Sequence, residues 1–416
     1  MKLKKLIGLM AVAGFALPGA AMATNGYFSH GYGMKAKGMG GAATAMADDA
    51  FGGANNPASM VFAGDRLDLG IDLFSPKREA SRSGSMPTLN GTTDSDSNYF
   101  GIPEFGYNKM LNNNLSLGVS VYGNGGMNTD YPAGQYNCGA GAANMMCGNT
   151  SLGVDLMQLM IAPTVAFKIA PNHSIGISPL IGYQRFKAEG LQAFAPASSS
   201  PSNLTNKGYD DSFGYGVRIG YMGKITPAFT IGAAYATKMN MQKFDKYKGL
   251  FAEQGAFDIP ENYNLGIAYQ VTPELTLALD YQRINYSGVK SISNPSTNMT
   301  PLGSSGGPGF GWQDVDVWKL GVAYQYNKQW TLRAGYNHGD NPIQARDVTF
   351  NILAPGVVKD HATLGVTYLT PAGNELTVSY MHAFENSVSG SSPQFGGTET
   401  IKMYQNSIGV AYAWKM

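Results

Sequence analysis

The sequence predicts an all-β protein: a fourteen-stranded antiparallel transmembrane β-barrel with a small N-terminal hatch, or plug, in its lumen. Three observations carry this. The 416 residues are 44% hydrophobic and only 14% charged, with 54 Gly, 24 Tyr and 19 Phe, too aromatic for a disordered chain. Beyond residue 23 no run of 18 apolar residues occurs, which excludes a helical membrane span. Fourteen segments nevertheless alternate between apolar and small or polar residues, and the connections between them alternate between short and long.

In chain order, residues 1–23 read as a secretory signal peptide. Lys2, Lys4 and Lys5 form the positive region, Leu6 to Leu17 the apolar stretch and Ala21-Met22-Ala23 the cleavage site. Twelve residues are too few for a membrane anchor. Cleavage removes three lysines, so the formal net charge moves from 29 − 28 = +1 to 26 − 28 = −2. Nothing in that balance points to nucleic acid.

Residues 24–65 form the expected hatch. From Thr24 to Ala58 the chain is rich in Gly and Ala and lacks a regular apolar period. A compact segment ahead of a barrel has its natural place inside it. The pair Asp48-Asp49 could be read as an acid/base dyad, but beside Asn56-Pro57 it fits turn and capping roles better.

Residues 66–416 form the expected barrel. Strands are predicted near 66–76, 97–108, 114–125, 152–169, 173–190, 211–224, 229–242, 256–270, 275–288, 311–326, 330–339, 359–369, 375–388 and 399–415. Leu275, Leu277, Leu279 and Tyr281 share one face, and Thr276, Ala278, Asp280 and Gln282 the other. Phe213, Tyr215, Val217, Ile219 and Tyr221 likewise oppose Gly214, Gly216, Arg218 and Gly220. A tilted segment of about 9–11 such residues crosses a bilayer. Six short turns alternate with seven long loops, so both chain ends fall on the short-turn side, as in outer-membrane barrels. Tyr324, Tyr326 and Trp330, with Tyr412 and Trp414, supply an interfacial girdle at that edge. Ile408, Val410, Tyr412, Trp414 and Met416 share the apolar face of the last strand.

Cys138 and Cys147 lie nine residues apart in a Gly/Asn/Ala-rich loop of an exported chain and predict a disulfide. Closing that loop would restrict the unfolded chain by roughly 2–3 kcal/mol. The five histidines (His30, His173, His338, His361 and His382) show no metal-ligand spacing and no nucleophile motif. No cofactor, no metal site and no enzymatic activity are expected.

The N-terminal stretch resembles the FadL-type family of outer-membrane transporters of long-chain fatty acids and hydrophobic compounds. Ser29, Gly31 and Gly33 stand where the family hatch begins Ser-x-Gly-x-Gly. Ala47-Asp48-Asp49-Ala50 and then Asn56-Pro57-Ala58 match its later motifs. Ile259-Pro260-Glu261, and Trp330 to Gly335 followed by Asp340-Asn341-Pro342, resemble its barrel runs. The stretch Gly38–Met46 is longer than in some members, and Met416 stands where a terminal Phe is usual.

The resemblance implies a fourteen-stranded outer-membrane barrel that takes up hydrophobic cargo passively. Cargo would be captured by the loops, pass a rearranging hatch, and leave sideways through a kinked third strand. Asn124, Gly125 and Gly126 match that lateral gate; glycines also weaken a ladder on general grounds, and the alternative is that the strand simply ends there. A family Tyr-x-Arg that helps hold the fatty acid head group matches Tyr183-Gln184-Arg185. Parity puts Arg185 toward lipid unless Pro179 marks a bulge, so the inward Arg218 and Arg333 stand beside it as candidates for a ligand carboxylate. Expected partners are a long-chain fatty acid or other hydrophobic ligand, outer-membrane lipid and lipopolysaccharide, with the chain a monomer. The rival readings are a general porin for small polar solutes, with 24–65 a periplasmic tail, and a surface binding protein.

Overall fold

The computed structural model describes residues 24–139 and 141–416; the predicted signal peptide lies outside them. One antiparallel sheet of sixteen strands dominates, and two of these, Gly91–Asp94 and Asn240–Met241, are short outgrowths, which leaves fourteen in the wall. The wall strands are β1 (Arg66–Ser83), β2 (Phe100–Asn112), β3 (Leu115–Asn128), β4 (Gly153–Ala170), β5 (His173–Glu189), β6 (Asp210–Lys224) and β7 (Phe229–Ala236). They continue as β8 (Asn262–Thr272), β9 (Leu275–Ile284), β10 (Val315–Gln325), β11 (Trp330–Gly339), β12 (Asp360–Leu369), β13 (Glu375–Ser391) and β14 (Thr398–Lys415). Each pairs with its neighbours in sequence, and β14 closes on β1 from Arg66↔Lys415 to Ser83↔Thr398. Closure leaves no long edge exposed, the requirement for strands in a bilayer.

Period two sorts the side chains as the sequence predicts. In β9, Leu277 and Leu279 are exposed, while Ala278, Asp280, Gln282 and Ile284 are buried. Ile408, Val410 and Trp414 of β14 face outward. Aromatic pairs mark the short-turn rim, with Trp330 against Tyr368 and Tyr412 against Trp414 at centroid distances of 4.8 and 4.6 Å. Near the opposite rim, outward tyrosines donate to carboxylates on neighbouring strands: Tyr281 to Asp316 at 2.7 Å and Tyr336 to Asp360 at 2.6 Å.

Strand ends on the long-loop side depart from prediction. β1 runs past Pro76 to Ser83, because β14 pairs it throughout although its ladder with β2 stops at Phe74↔Phe100. A proline is tolerated where only one side of the strand is paired. β7 stops at Ala236 and β8 starts at Asn262, and Met239 and Ile259 form an isolated bridge above them.

Residues 24–65 fold back into the lumen, and nearly all of 24–45 is buried. They form single-turn elements, Met34–Lys37, Pro57–Ser59 and Met60–Ala63, joined by turns. Over them sits a second layer, an apolar core built from the long loops, with Phe244, Tyr247, Phe257, Tyr286 and Trp312 fully buried.

Candidate functional site: lumen, wall break and loop cavity

The lumen accepts this segment because the wall is glycine where the two touch. A Cβ added at Gly176 would run into the Pro57 backbone, at Gly220 into Asn56, at Gly232 into Thr44, and at Gly335 into Met39 and Gly40. Gly106 and Gly409 meet Ala50 and Met34 in the same way. These glycines sit at inward parity, so the alternation that makes a lipid face of Ile, Leu and Tyr also makes a bed for the segment.

Inward carboxylates then hold it. Asp280 accepts from the amides of Ala43 and Thr44, both at 2.8 Å, and from the Thr44 hydroxyl at 2.7 Å. Asp68 accepts from the Ala50 amide at 2.7 Å. Lys37 Nζ lies 2.8 Å from Asp72 and 3.7 Å from Glu104, and Lys35 Nζ lies 2.7 Å from Glu375, which Arg66 also reaches at 3.0 Å. From sequence Asp68, Asp72 and Asp280 read only as polar lumen groups, and Glu104 and Glu375 do not stand out. Their signal was a carboxylate on the inward parity of its strand.

The residues matched to the hatch motifs are close together but do different work. Ser29 Oγ donates to the Gly31 carbonyl at 2.8 Å. Gly31 packs against the Gly41 backbone, and Gly33 takes φ 86°, a left-handed value that favours glycine. Asp49 accepts from the Phe51 amide at 3.0 Å, an Asx turn, and Asp48 offers its carbonyl to Lys35 at 2.7 Å. Asn56 caps Pro57–Ser59 by accepting from the Ala58 amide at 3.1 Å. Its Nδ2 donates to the carbonyls of Thr44 and, on β6, Tyr221.

The wall is interrupted between β2 and β3. Their ladder runs from Asn112↔Leu115 to Phe105↔Val121 and ends. Beyond it Phe100–Glu104 pair only with β1, and Tyr122–Asn128 only with β4, with a register shift between Gly123 and Gly125 that leaves Asn124 out of the pairing. The lumen segment takes up the free edge of β3. Ser29 N donates to the Asn124 carbonyl at 3.2 Å and Gly126 N to the Tyr27 carbonyl at 3.1 Å. Gly125 lies so close to Tyr27 that a Cβ there would overlap its carbonyl. Thus Asn124, Gly125 and Gly126 do not end the strand, which runs on to Asn128; they are where it meets residues 27–29.

The three arginines separate. Arg185 keeps the outward parity of β5. Pairing with β6 runs without a shift through Pro179↔Val217, so Pro179 does not reset the phase. Its guanidinium stacks 3.7 Å from the centroid of Tyr209, outside the lumen, which removes it as an inward carboxylate ligand. Arg333 faces inward near the short-turn end and donates to Thr367 at 2.6 Å. Arg218 is buried, reaches Asn262 at 3.5 Å, and leaves Nε and Nη1 without partners.

Among the long loops lies a cavity of about 30 Å³, lined by Phe186, Leu191, Phe194, Phe251, Phe310 and Leu353 with other apolar groups; Ser291 is its one polar side chain. The disulfide Cys138–Cys147 closes the loop that brings Met146 to this cavity. Among the described residues no group of three or more His, Cys, Asp or Glu could hold a metal ion.

Residues 9–414 match the family model described as outer membrane protein transport protein (OMPP1/FadL/TodX). The chain belongs to this family. It is 22% identical over 412 residues to a long-chain fatty acid transport protein of Escherichia coli O6:H1, with 87% of each chain covered, and 23% identical to one of Salmonella typhi. The fold is that of the Pseudomonas putida toluene transporter TodX, at a TM-score of 0.69 and 18% identity, covering 93% of this chain and 99% of that one. A FadL homologue of Pseudomonas aeruginosa gives 0.69 at 17% identity. As a member of the OMPP1/FadL/TodX family, this is an outer-membrane transport protein for hydrophobic compounds rather than an enzyme.

Proposed function

We propose that this chain carries long-chain fatty acids or similar hydrophobic molecules across the outer membrane by passive diffusion, with residues 24–65 as a hatch and the β2–β3 break as the exit. The carrying observation is the break itself, where hatch residues 27–29 take the place of the missing strand. A sideways exit suits apolar cargo on energetic grounds. Each methylene moved from water to an apolar site gains about 0.8 kcal/mol. A long acyl chain therefore leaves far more readily into the bilayer than into water. Capture is assigned to the loop cavity, which is too small in this state for a whole ligand and must open around it. Arg218, with two unpartnered guanidinium nitrogens in the lumen, is the proposed partner for a carboxylate when the cargo has one. The relatives named for fatty acids and for toluene both carry apolar cargo. Each chain encloses its own lumen, which supports a working monomer set in lipid and lipopolysaccharide.

The test is uptake into liposomes holding the purified protein, alongside conductance in planar bilayers. Uptake of a fluorescent fatty acid with almost no ionic current is expected; a large steady current from the intact protein would favour a polar-solute porin instead.

A further inference from the structure

An unbroken line of rings joins the loop cavity to the hatch. Phe186 and Phe251 line the cavity, and their centroids lie 4.6 Å apart. Phe251 meets Phe257 at 4.8 Å, Phe257 meets Tyr27 at 6.2 Å, and the Tyr27 carbonyl is bound at the wall break. Phe257 is fully buried in this line. Its peptide is tied to the wall, since the Phe257 carbonyl accepts from Gln184 Nε2 at 2.8 Å.

The backbone leading to it is strained. Glu253, Gln254 and Gly255 follow one another at φ 56°, 63° and 99°, three left-handed residues of which two are not glycine. Such stretches persist where surrounding contacts enforce them, and they gather at ligand clamps and switches. Here the contacts are visible. Glu253 pairs with Lys290 at 2.7 Å, the Gln254 amide donates to the Gly303 carbonyl at 2.8 Å, and the Gly255 carbonyl accepts from the Phe244 amide at 2.9 Å. A Cβ at Gly255 would overlap Phe244.

We infer that Phe257 is the size-selecting residue between capture and hatch, and that the strained turn 253–255 eases its opening. This rests on the transport reading above. In the closed state the ring fills the passage; cargo passes when it turns aside, so cargo girth sets the rate. Relieving strain in the closed state should make opening harder.

The experiment compares liposome uptake of two probes, a linear fluorescent fatty acid and a bulky polycyclic arene, for the wild type and variants. Phe257→Ala should raise arene uptake at least tenfold relative to the linear acid, with cavity affinity for each probe within about twofold of wild type. Phe257→Trp should shift the ratio the other way. Gln254→Gly, which leaves every ring of the line in place and relaxes the turn, should slow both probes several-fold. An unchanged ratio in Phe257→Ala and Phe257→Trp together would overturn the proposal, as would Gln254→Gly running at wild-type speed. If Phe257→Ala does not fold, Phe257→Leu takes its place, with the same direction at about threefold. Wild type taking up neither probe would overturn the transport reading itself, a different result from wild-type uptake that is blind to residue 257.

Discussion

At the scale of single residues, glycine decides where the hatch can sit. The chain carries 54 glycines, and many of those on inward parity stand where a methyl group would meet the hatch backbone. Gly232 is a clean case, since its Cα faces the Thr44 carbonyl while the outward neighbours Ile231 and Ala233 face lipid. Gly232→Val adds a side chain favoured in strands, so the barrel should assemble and keep its resistance to unfolding in detergent. The hatch corner at Thr44 has to move, at an overpacking cost of about 1–3 kcal/mol. The expected result is faster proteolysis within residues 24–65 of the folded barrel. Protection equal to wild type would show that the corner tolerates the side chain.

Elements show how much was readable beforehand. The fourteen strands, the six short turns and the faces of strands such as β6, β9 and β14 were legible because period two repeats over ten or more residues and lipid demands a continuous apolar face. Strand ends near the long loops were not, because Ser83 and Asn262 are set by pairing between distant segments rather than by local pattern. The hatch motifs and the glycine break were legible as residue types. That the two are neighbours is what the resemblance implies; which residues join them, Tyr27 and Gly126, was not legible, since a bridge between residues about a hundred positions apart leaves no local trace. Arg185 had the right motif, but parity decided its direction. The break also changes what a mutation there does. β-branched residues at positions 125 and 126 favour a regular strand, but a Cβ at 125 overlaps the Tyr27 carbonyl. Gly125→Val with Gly126→Val should therefore push residues 27–29 off β3 and fill the break together. Uptake of the linear acid should fall at least tenfold in a barrel that still assembles; wild-type uptake would remove the lateral exit.

Across the whole molecule, the barrel and the segment inside it are held by different forces, so a change to one set of contacts can be read apart from the other. The wall is a hydrogen-bonded ladder, closed apart from the β2–β3 break, with an apolar exterior. The hatch sits against it through small residues and buried ions, most clearly Lys37 between Asp72 on β1 and Glu104 on β2. Buried ion pairs add little net stability over an apolar packing of the same shape, yet removing one partner costs about 3–5 kcal/mol because a charge is left unpaired. Lys37→Met leaves two carboxylates facing each other beside the break. It should free the hatch while the barrel persists, which would appear as ionic current through a protein that still resists unfolding in detergent. The triple change Lys37→Met, Asp72→Leu and Glu104→Leu removes the unpaired charges as well, so it should close the channel again. It should also slow uptake if hatch movement depends on the ease with which polar contacts are exchanged for water. Current equal to wild type in Lys37→Met would mean that the glycine bed alone retains the hatch, and the ion pairs would then be dispensable for closure.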